Sequence, residues 1–500
     1  MRRLAALLLL VAPAAADPAA RAEALVKEYL SFGKRPDRKG EDRRENILTE
    51  LKDLPDGAGY GALLRLVPRT VRPVEYMMAT LYLGKVRDEE HLRVVVKHAD
   101  KLGEEAFIRF LGEMLAKDPP DVVRAWILKE GLRSTDPIMA GTSCRAAGDL
   151  RMAEAAEPIG RILLRTGRNR KHRRVAYEAA RALILIEGME RRLDCASHES
   201  PWVRLAAARI LPSLKEPGEA ALAAFAALAR DPSWQVRRQL LRSVGWTKNM
   251  LHARALIEAL EADPRLAVRA TAGRALRDLS GRDLDYDPAA WREWLKDQKA
   301  ETPPQRTYSF ARYYGQAVVA DNVCFVVDLS GSMGLPKRAD QRRIDVAVRE
   351  LLKALEQLPE ETRFNLVAFS DDATTWRRGA VKATARNVAA ARRWVEETFA
   401  PGGQTNTHAA LKAAFESDDD LDTIFLLSDG SPSVGVFENA TDSLHAIYAW
   451  EWERQVVIHT IALSLSDLFA KEDKEDWGEW FMGRVASMTD GETRVVARPP

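Results

Sequence analysis

The chain reads as a multidomain protein, an N-terminal α-solenoid followed by a doubly wound α/β domain of Rossmann-like form, and three observations predict this. A unit ending in Val-Arg recurs at a nearly fixed period in the first half. In the second half two apolar runs end abruptly in an acid, and amphipathic helical patterns alternate with them. Five hundred residues are also more than one hydrophobic core supports, so at least two domains are expected.

At the start, Arg2 and Arg3 precede an apolar stretch from Leu4 to Val11, and Ala14-Ala15-Ala16 stands before Asp17. This is the layout of a secretory signal peptide over residues 1–16. The stretch is shorter than the roughly 20 apolar residues a membrane span needs, and nothing later in the chain qualifies. The expectation is an exported protein, periplasmic or extracellular, and the Ala- and Arg-rich composition points to a bacterial host.

Residues 17–298 lack strand signals and carry Ala, Leu and Arg at helical spacing. The recurring unit is Pro201-Trp202-Val203-Arg204, then Pro232 to Arg237, then Pro264 to Arg269, with the Val-Arg pairs 33 and 32 residues apart. Leu205–Arg209 and Ala270–Arg274 follow as small-residue helices that permit close packing. A period of this kind marks a solenoid in which each helix pair buries its apolar face against its neighbours. The Arg of each unit is expected to make a capping or inter-repeat hydrogen bond. Glu104–Leu115 and Val122–Leu132 read as helices without a readable phase, and 282–298, with Trp291 and Trp294, as a closing helix. Pro303 and Pro304 open a linker, placed at 299–320. This half resembles the HEAT-like repeat family, whose second helix begins with Asp or Pro and then Val-Arg.

Residues 321–500 form the second domain. Val323 to Val327 is an unbroken apolar run that ends in Asp328, Ser330 and Ser332, three small oxygen-bearing side chains at alternate positions. Such a run suits a central parallel strand covered on both faces, and ligands of open α/β sheets bind beyond the carboxyl ends of strands. One carboxylate and two hydroxyls are hard donors with a single charge, which suits Mg²⁺ and disfavours a thiophilic metal. Ile424 to Asp429 repeats the layout, and Gly402-Gly403-Gln404-Thr405-Asn406-Thr407 precedes a helical pattern. Further strands are expected at Arg363–Phe369 and Val456–Leu463, and helices at Ile344–Leu358 and Asn387–Thr398.

At these residues the chain resembles the von Willebrand factor A (VWA) domain and its metal-ion-dependent adhesion site, an Asp-x-Ser-x-Ser motif joined by a distant Thr and a distant Asp. The resemblance implies a site of Asp328, Ser330, Ser332, Thr405 and Asp429 holding Mg²⁺, or Mn²⁺ or Ca²⁺. In that family the serines bind the metal directly, the acids and threonine do so directly or through water, and an acidic residue of the partner completes the shell. Many members place the threonine directly after the Gly pair. Here Gln404 intervenes, so Thr407 competes with Thr405, which the following Asn and small residues favour.

Other features carry bland readings. His459 lies in a strand pattern and reads as a core histidine, and Trp376, Trp394, Trp450 and Trp452 as packing or surface residues. Ser417-Asp418-Asp419-Asp420 reads as a solvated helix end. Cys324 belongs to a buried strand, Cys144 and Cys195 have the option of pairing, and three cysteines in so long a chain rule out a disulfide framework. Asn439-Ala440-Thr441 is a glycosylation acceptor only in a host that modifies it.

Net charge is +2 for the whole chain, but residues 321–500 hold 20 Lys and Arg against 30 Asp and Glu, while 1–320 hold 55 against 43. Asymmetry of this size steers anionic partners to the solenoid or draws the two domains together. The positive charge is spread among many acids without aromatic platforms, which argues against nucleic acid. The functional expectation is an exported, non-enzymatic protein that binds an acidic group of a protein partner through the metal, with the solenoid as a second scaffold. Two alternatives stand beside it: a metal-dependent hydrolase, against which the chain lacks His-Glu-x-x-His, Gly-x-Ser-x-Gly and phosphate-loop motifs, and a structural module docked on its own solenoid.

Overall fold

The computed structural model describes residues 17–32, 38–66, 78–79, 82–83, 86, 121–297, 310–335, 342–430, 447, 450, 454–463 and 477–496. The expected signal peptide, the helix at 104–115, the Asn439 triplet and Trp452 lie outside them. The chain divides into two compact units, Met1–Arg133 and Ser134–Pro500.

In the first unit the helices Pro18–Ser31, Arg38–Lys52 and Tyr60–Leu66 pack on one another. Asp17 caps the first through the Ala19 N–H, and Leu25, Tyr29, Ile47, Leu51 and Leu63 are buried. Arg43 bridges Glu28 and Glu50 between the first two.

The second unit begins with stacked helices that carry the repeat read from the sequence. Pro201–Ile210, Trp234–Thr247 and Leu266–Ser280 form one row, with Glu219–Leu228 and Ala253–Ala262 interposed. The Val-Arg pairs now have a physical role. Arg204 donates through Nε and Nη2 to Asp231 at 2.5 and 2.9 Å, and Arg237 does the same to Asp263 at 2.7 and 2.9 Å. Each valine is fully buried, so one residue fills the core while, in the first two units, the next ties its own loop to the following repeat; in the third, Arg269 donates to the Leu260 carbonyl at 2.9 Å. Small residues set the spacing: a Cβ on Gly245 would lie 3.1 Å from Ala275. The closing helix runs Pro288–Lys296, capped by Asp287, and buries Trp291 and Trp294. Cys144, Cys195 and Cys324 are free and buried.

The α/β part departs from the expected linker at its end. Ala311, Tyr313, Val318 and Ala320 are buried in the core, because β1 (Arg312–Tyr313) and β2 (Gln316–Ala317) form a hairpin whose turn, Tyr314-Gly315, has positive φ at both residues. That hairpin lays Tyr313 against Phe325 and Phe425. The main sheet consists of β3 (Asn322–Asp328), β4 (Arg363–Phe369), β5 (Ala373–Thr375), β6 (Val381–Lys382), β7 (Thr423–Ser428), β8 (Val457–Leu463) and β9 (Thr493–Val496). Its order is β5-β4-β3-β7-β8-β9, with β6 also on β4. β4, β3, β7, β8 and β9 run parallel, and β5 and β6 are antiparallel edges. Every residue of β3, β7 and β8 is buried, as expected for strands covered on both faces by the helices Arg343–Gln357, Ala385–Thr398, Thr407–Ser417 and Trp477–Met488. His459 is a core residue: it stacks on Phe425, and its Nδ1 accepts the Glu492 N–H at 3.2 Å.

The repeats dock on one end of this sheet, where the parallel strands begin. Asp321, just before β3, accepts the Leu266 N–H at 2.8 Å. Arg265 reaches Asp321, Asp420 and Asp422 at 3.0 to 3.4 Å. Gln455, before β8, donates to Gln239 at 3.0 Å, and Glu492, before β9, pairs with Arg277 at 2.7 Å. The Ser417–Asp420 run is therefore no solvated helix end. Asp418 accepts from Arg363 and from the Ala380 N–H, and Asp420 accepts from Trp234 Nε1 and Arg265, because the acids sit where the positive repeats and the sheet meet.

Candidate metal centre

The opposite end of the sheet, where β3 and β7 finish side by side, gathers the sequence-predicted residues. β3 connects onward to β4 on one side and lies against β7 on the other, so the gap beyond their carboxyl ends is the topological switch point. Asp328 is fully buried. Its Oδ1 accepts the Ser330 N–H at 2.7 Å, which turns the chain sharply after the strand, and its Oδ2 accepts from Ser428 Oγ at 2.6 Å. Ser330 Oγ and Ser332 Oγ stand 3.1 Å apart, and Ser332 Oγ donates to Asp429 Oδ1 at 2.7 Å. Four of the five expected residues thus share one hydrogen-bonded cluster.

Thr405 comes from a different segment that is stapled to the same turn. Gly331 N donates to Gly403 O at 3.0 Å and Gly402 N to Leu329 O at 2.7 Å, while Thr405 itself is buried just before the helix that Asn406 caps. Gly403 has φ +77, and a Cβ there would lie 2.4 Å from Asp371 Oδ2, so only glycine fits. Thr407, the competing register, is buried inside the helix, and its hydroxyl has no hydrogen-bond partner among the described residues.

Three neighbours escaped the sequence reading. Ser428 is the last residue of β7, and its only signal was its place beside Asp429. Arg343 sits 3.4 Å from Asp429 Oδ2 and 3.3 Å from the Ser332 carbonyl. Asp371, after β4, accepts the Gln404 N–H at 3.1 Å and so orients the threonine loop.

The electrostatics suit a cation. Burial, and then the charge of Asp429, push the Asp328 carboxyl up to about 7, against hydrogen bonds from Ser428 and Ser330. Burial also raises Asp429, against Ser332 and Arg343. Two buried carboxylates with one guanidinium leave negative charge uncompensated, which a divalent ion would offset. The donors are all hard oxygens, and among the described residues no group of three His, Cys, Asp or Glu side chains supplies a softer alternative. Adjacent ligands of an octahedral Mg²⁺ at 2.0–2.1 Å are about 2.9 Å apart, close to the 3.1 Å between the two serine hydroxyls. The residues fit a small hard cation.

Residues 321–464 match the von Willebrand factor type A domain family, and residues 189–277 match HEAT repeats. The chain thus carries a VWA-type domain behind HEAT repeats. Its VWA domain is similar to that of human inter-alpha-trypsin inhibitor heavy chain H4, 36% identical over 140 residues, which is 25% of this chain and 14% of that protein. It is also 29% identical to human von Willebrand factor A domain-containing protein 3A over 180 residues, 36% of this chain and 14% of that protein. The likeness to both therefore spans about a seventh of the relative's length. Among solved structures, a von Willebrand factor type A protein from Catenulispora acidiphila aligns over 36% of this chain and 39% of its own at 19% identity, with a TM-score of 0.29.

Proposed function

We propose that the protein is an exported, non-enzymatic binding protein whose VWA domain holds Mg²⁺ and captures an acidic group of a protein partner. Ser330 and Ser332 would ligate the metal, with Asp328, Thr405 and Asp429 directly or through water. Once bound, the metal supplies an electrophilic position that a carboxylate from outside completes. The observation that carries this reading is the cluster at the carboxyl ends of β3 and β7.

Charge supports the choice of partner. A divalent ion, Asp328, Asp429 and Arg343 together carry one net positive charge, which favours an anionic ligand over a neutral one. Position supports it as well. The repeats from 134 to 297 contact the strand beginnings, so the acids that meet Arg265 are spent at the far end, which argues against the alternative in which the solenoid occupies the metal site. The HEAT segment then serves as the second scaffold. Against a hydrolase, His408 and His459 are both buried.

The test is a capture experiment from the exported fraction of the native host, using the mature protein with Mg²⁺, the same with EDTA, and Asp328→Ala with Mg²⁺. Partners held only in the first sample support metal-dependent adhesion. Equal capture in all three would overturn it.

A further inference from the structure

Between the last two repeats and the segment entering β9 lies a cavity of about 490 Å³, lined in part by Arg242, Trp246, Thr271, Arg274, Asp278 and Glu492. It lies at the strand beginnings, away from the metal centre. Three guanidiniums, those of Arg242, Arg274 and Arg277, line it. Arg238 is fully buried and Arg274 is 9% exposed, and both donate to the same neutral hydroxyl, Thr271 Oγ1, at 3.0 and 3.4 Å. Arg242 pairs with Asp490 and Arg277 with Glu492, which commits two of the three carboxylates on the wall. Arg274 Nε is buried with no hydrogen-bond partner among the described residues. The third carboxylate, Asp278, is itself pushed up by burial, and the same arginines help hold the neighbouring His459 neutral, chiefly after burial.

A buried guanidinium with a long hydrogen bond to a neutral hydroxyl and an unpartnered Nε among the described residues is costly, and a planar fork of donors matches an oxyanion. We propose that this cavity is a binding site for a phosphate-type oxyanion, held by Arg274 with Arg242 and Arg277 at its rim. The oxyanion is either inorganic phosphate or the phosphate group of a larger molecule, since the cavity has room for more than the anion. The third carboxylate opposes it and tunes its affinity.

Calorimetric titration of the full chain with inorganic phosphate, glycerol phosphate and, at matched ionic strength, chloride tests this. Saturable binding of phosphate without binding of chloride is expected, weakened at least tenfold in Arg274→Gln and strengthened at least threefold in Asp278→Asn. Tighter binding of glycerol phosphate would assign the site to a phosphorylated molecule, and tighter binding of inorganic phosphate to the free ion. Heat no greater than chloride gives, or equal affinity in wild type and Arg274→Gln, overturns the site. Should Arg274→Gln fail to fold by circular dichroism, the Asp278→Asn comparison decides, and unchanged or weaker binding there counts against the proposal.

Discussion

Asp321 Oδ2 accepts the backbone N–H of Leu266 at 2.8 Å, so the residue that starts the sheet caps the last repeat's helix. Its side chain does for that helix what a local Ser or Asp would do, and the same oxygen faces Arg265 at 3.4 Å. Repeats and sheet are thereby one structural unit.

Asp321→Ala should lower stability by about 1–2 kcal/mol, the usual loss of an N-cap, with Asp321→Asn retaining most of it. Arg265→Ala should cost more, about 3–5 kcal/mol, because it leaves the fully buried Asp422 without its cation. Denaturant unfolding of the three variants measures both. A separate early transition for the repeats in Arg265→Ala would mark the uncoupling.

Two buried histidines lower stability toward acid, while Asp328 and Asp422, both pushed up to about 7 chiefly by burial, act in the opposite direction. Burial pushes His459 down to about 3, reinforced by Arg274, Arg238 and Arg277, and His408 to about 4, reinforced by Lys412. The unfolded chain then binds protons that the folded one refuses, so this stability is present above 6.5 and is lost as pH falls from there toward 4. Each group contributes a slope of about 1.4 kcal/mol per pH unit. On going from pH 7 to 4.5, the unfolding midpoint of His459→Asn should therefore rise relative to that of wild type.

Metal should stabilise the fold. At a hundred times its dissociation constant Mg²⁺ adds about 2.7 kcal/mol, seen as a rise in melting temperature that EDTA reverses. Asp328→Ala and the double variant Ser330→Ala/Ser332→Ala should lose that rise while staying folded.

Arg343 should have opposite effects on the two ligands. Removing its charge beside Asp429 in Arg343→Gln is expected to tighten Mg²⁺ several-fold and to weaken an acidic partner. Parallel titrations read the two constants, and movement in the same direction would refute the charge argument.

Gly403→Ala should cost about 1–3 kcal/mol from the positive φ alone, with further loss where its Cβ meets Asp371. If that loop orients Thr405, Mg²⁺ affinity falls in the same variant.

Much of this was legible in the chain. Apolar runs bounded by Gly and acids located β3, β7 and β8 to within a residue, because buried parallel strands admit little else. The spacing of Val203, Val236 and Val268 revealed the repeats, because each must fill an equivalent place in a stacked core. The five site residues were named from the resemblance to the VWA metal site, through the Asp-x-Ser-x-Ser motif after a buried strand and the distant Thr and Asp.

Other features depended on the tertiary structure. Ser428 and Arg343 join the site only because β7 pairs with β3 and because a helix returns over the turn. Asp418 and Asp420 looked solvated because nothing local names Arg363, Trp234 or Arg265 as their partners. Tyr313 looked like linker because two-residue strands carry almost no periodicity. Sequence determined the elements and the donor types of the candidate site, since hydrophobic period and donor type are local properties. Which end of the sheet the repeats cover, and hence which end is left to a ligand, was decided by contacts between residues more than fifty positions apart, whose energies no local pattern encodes.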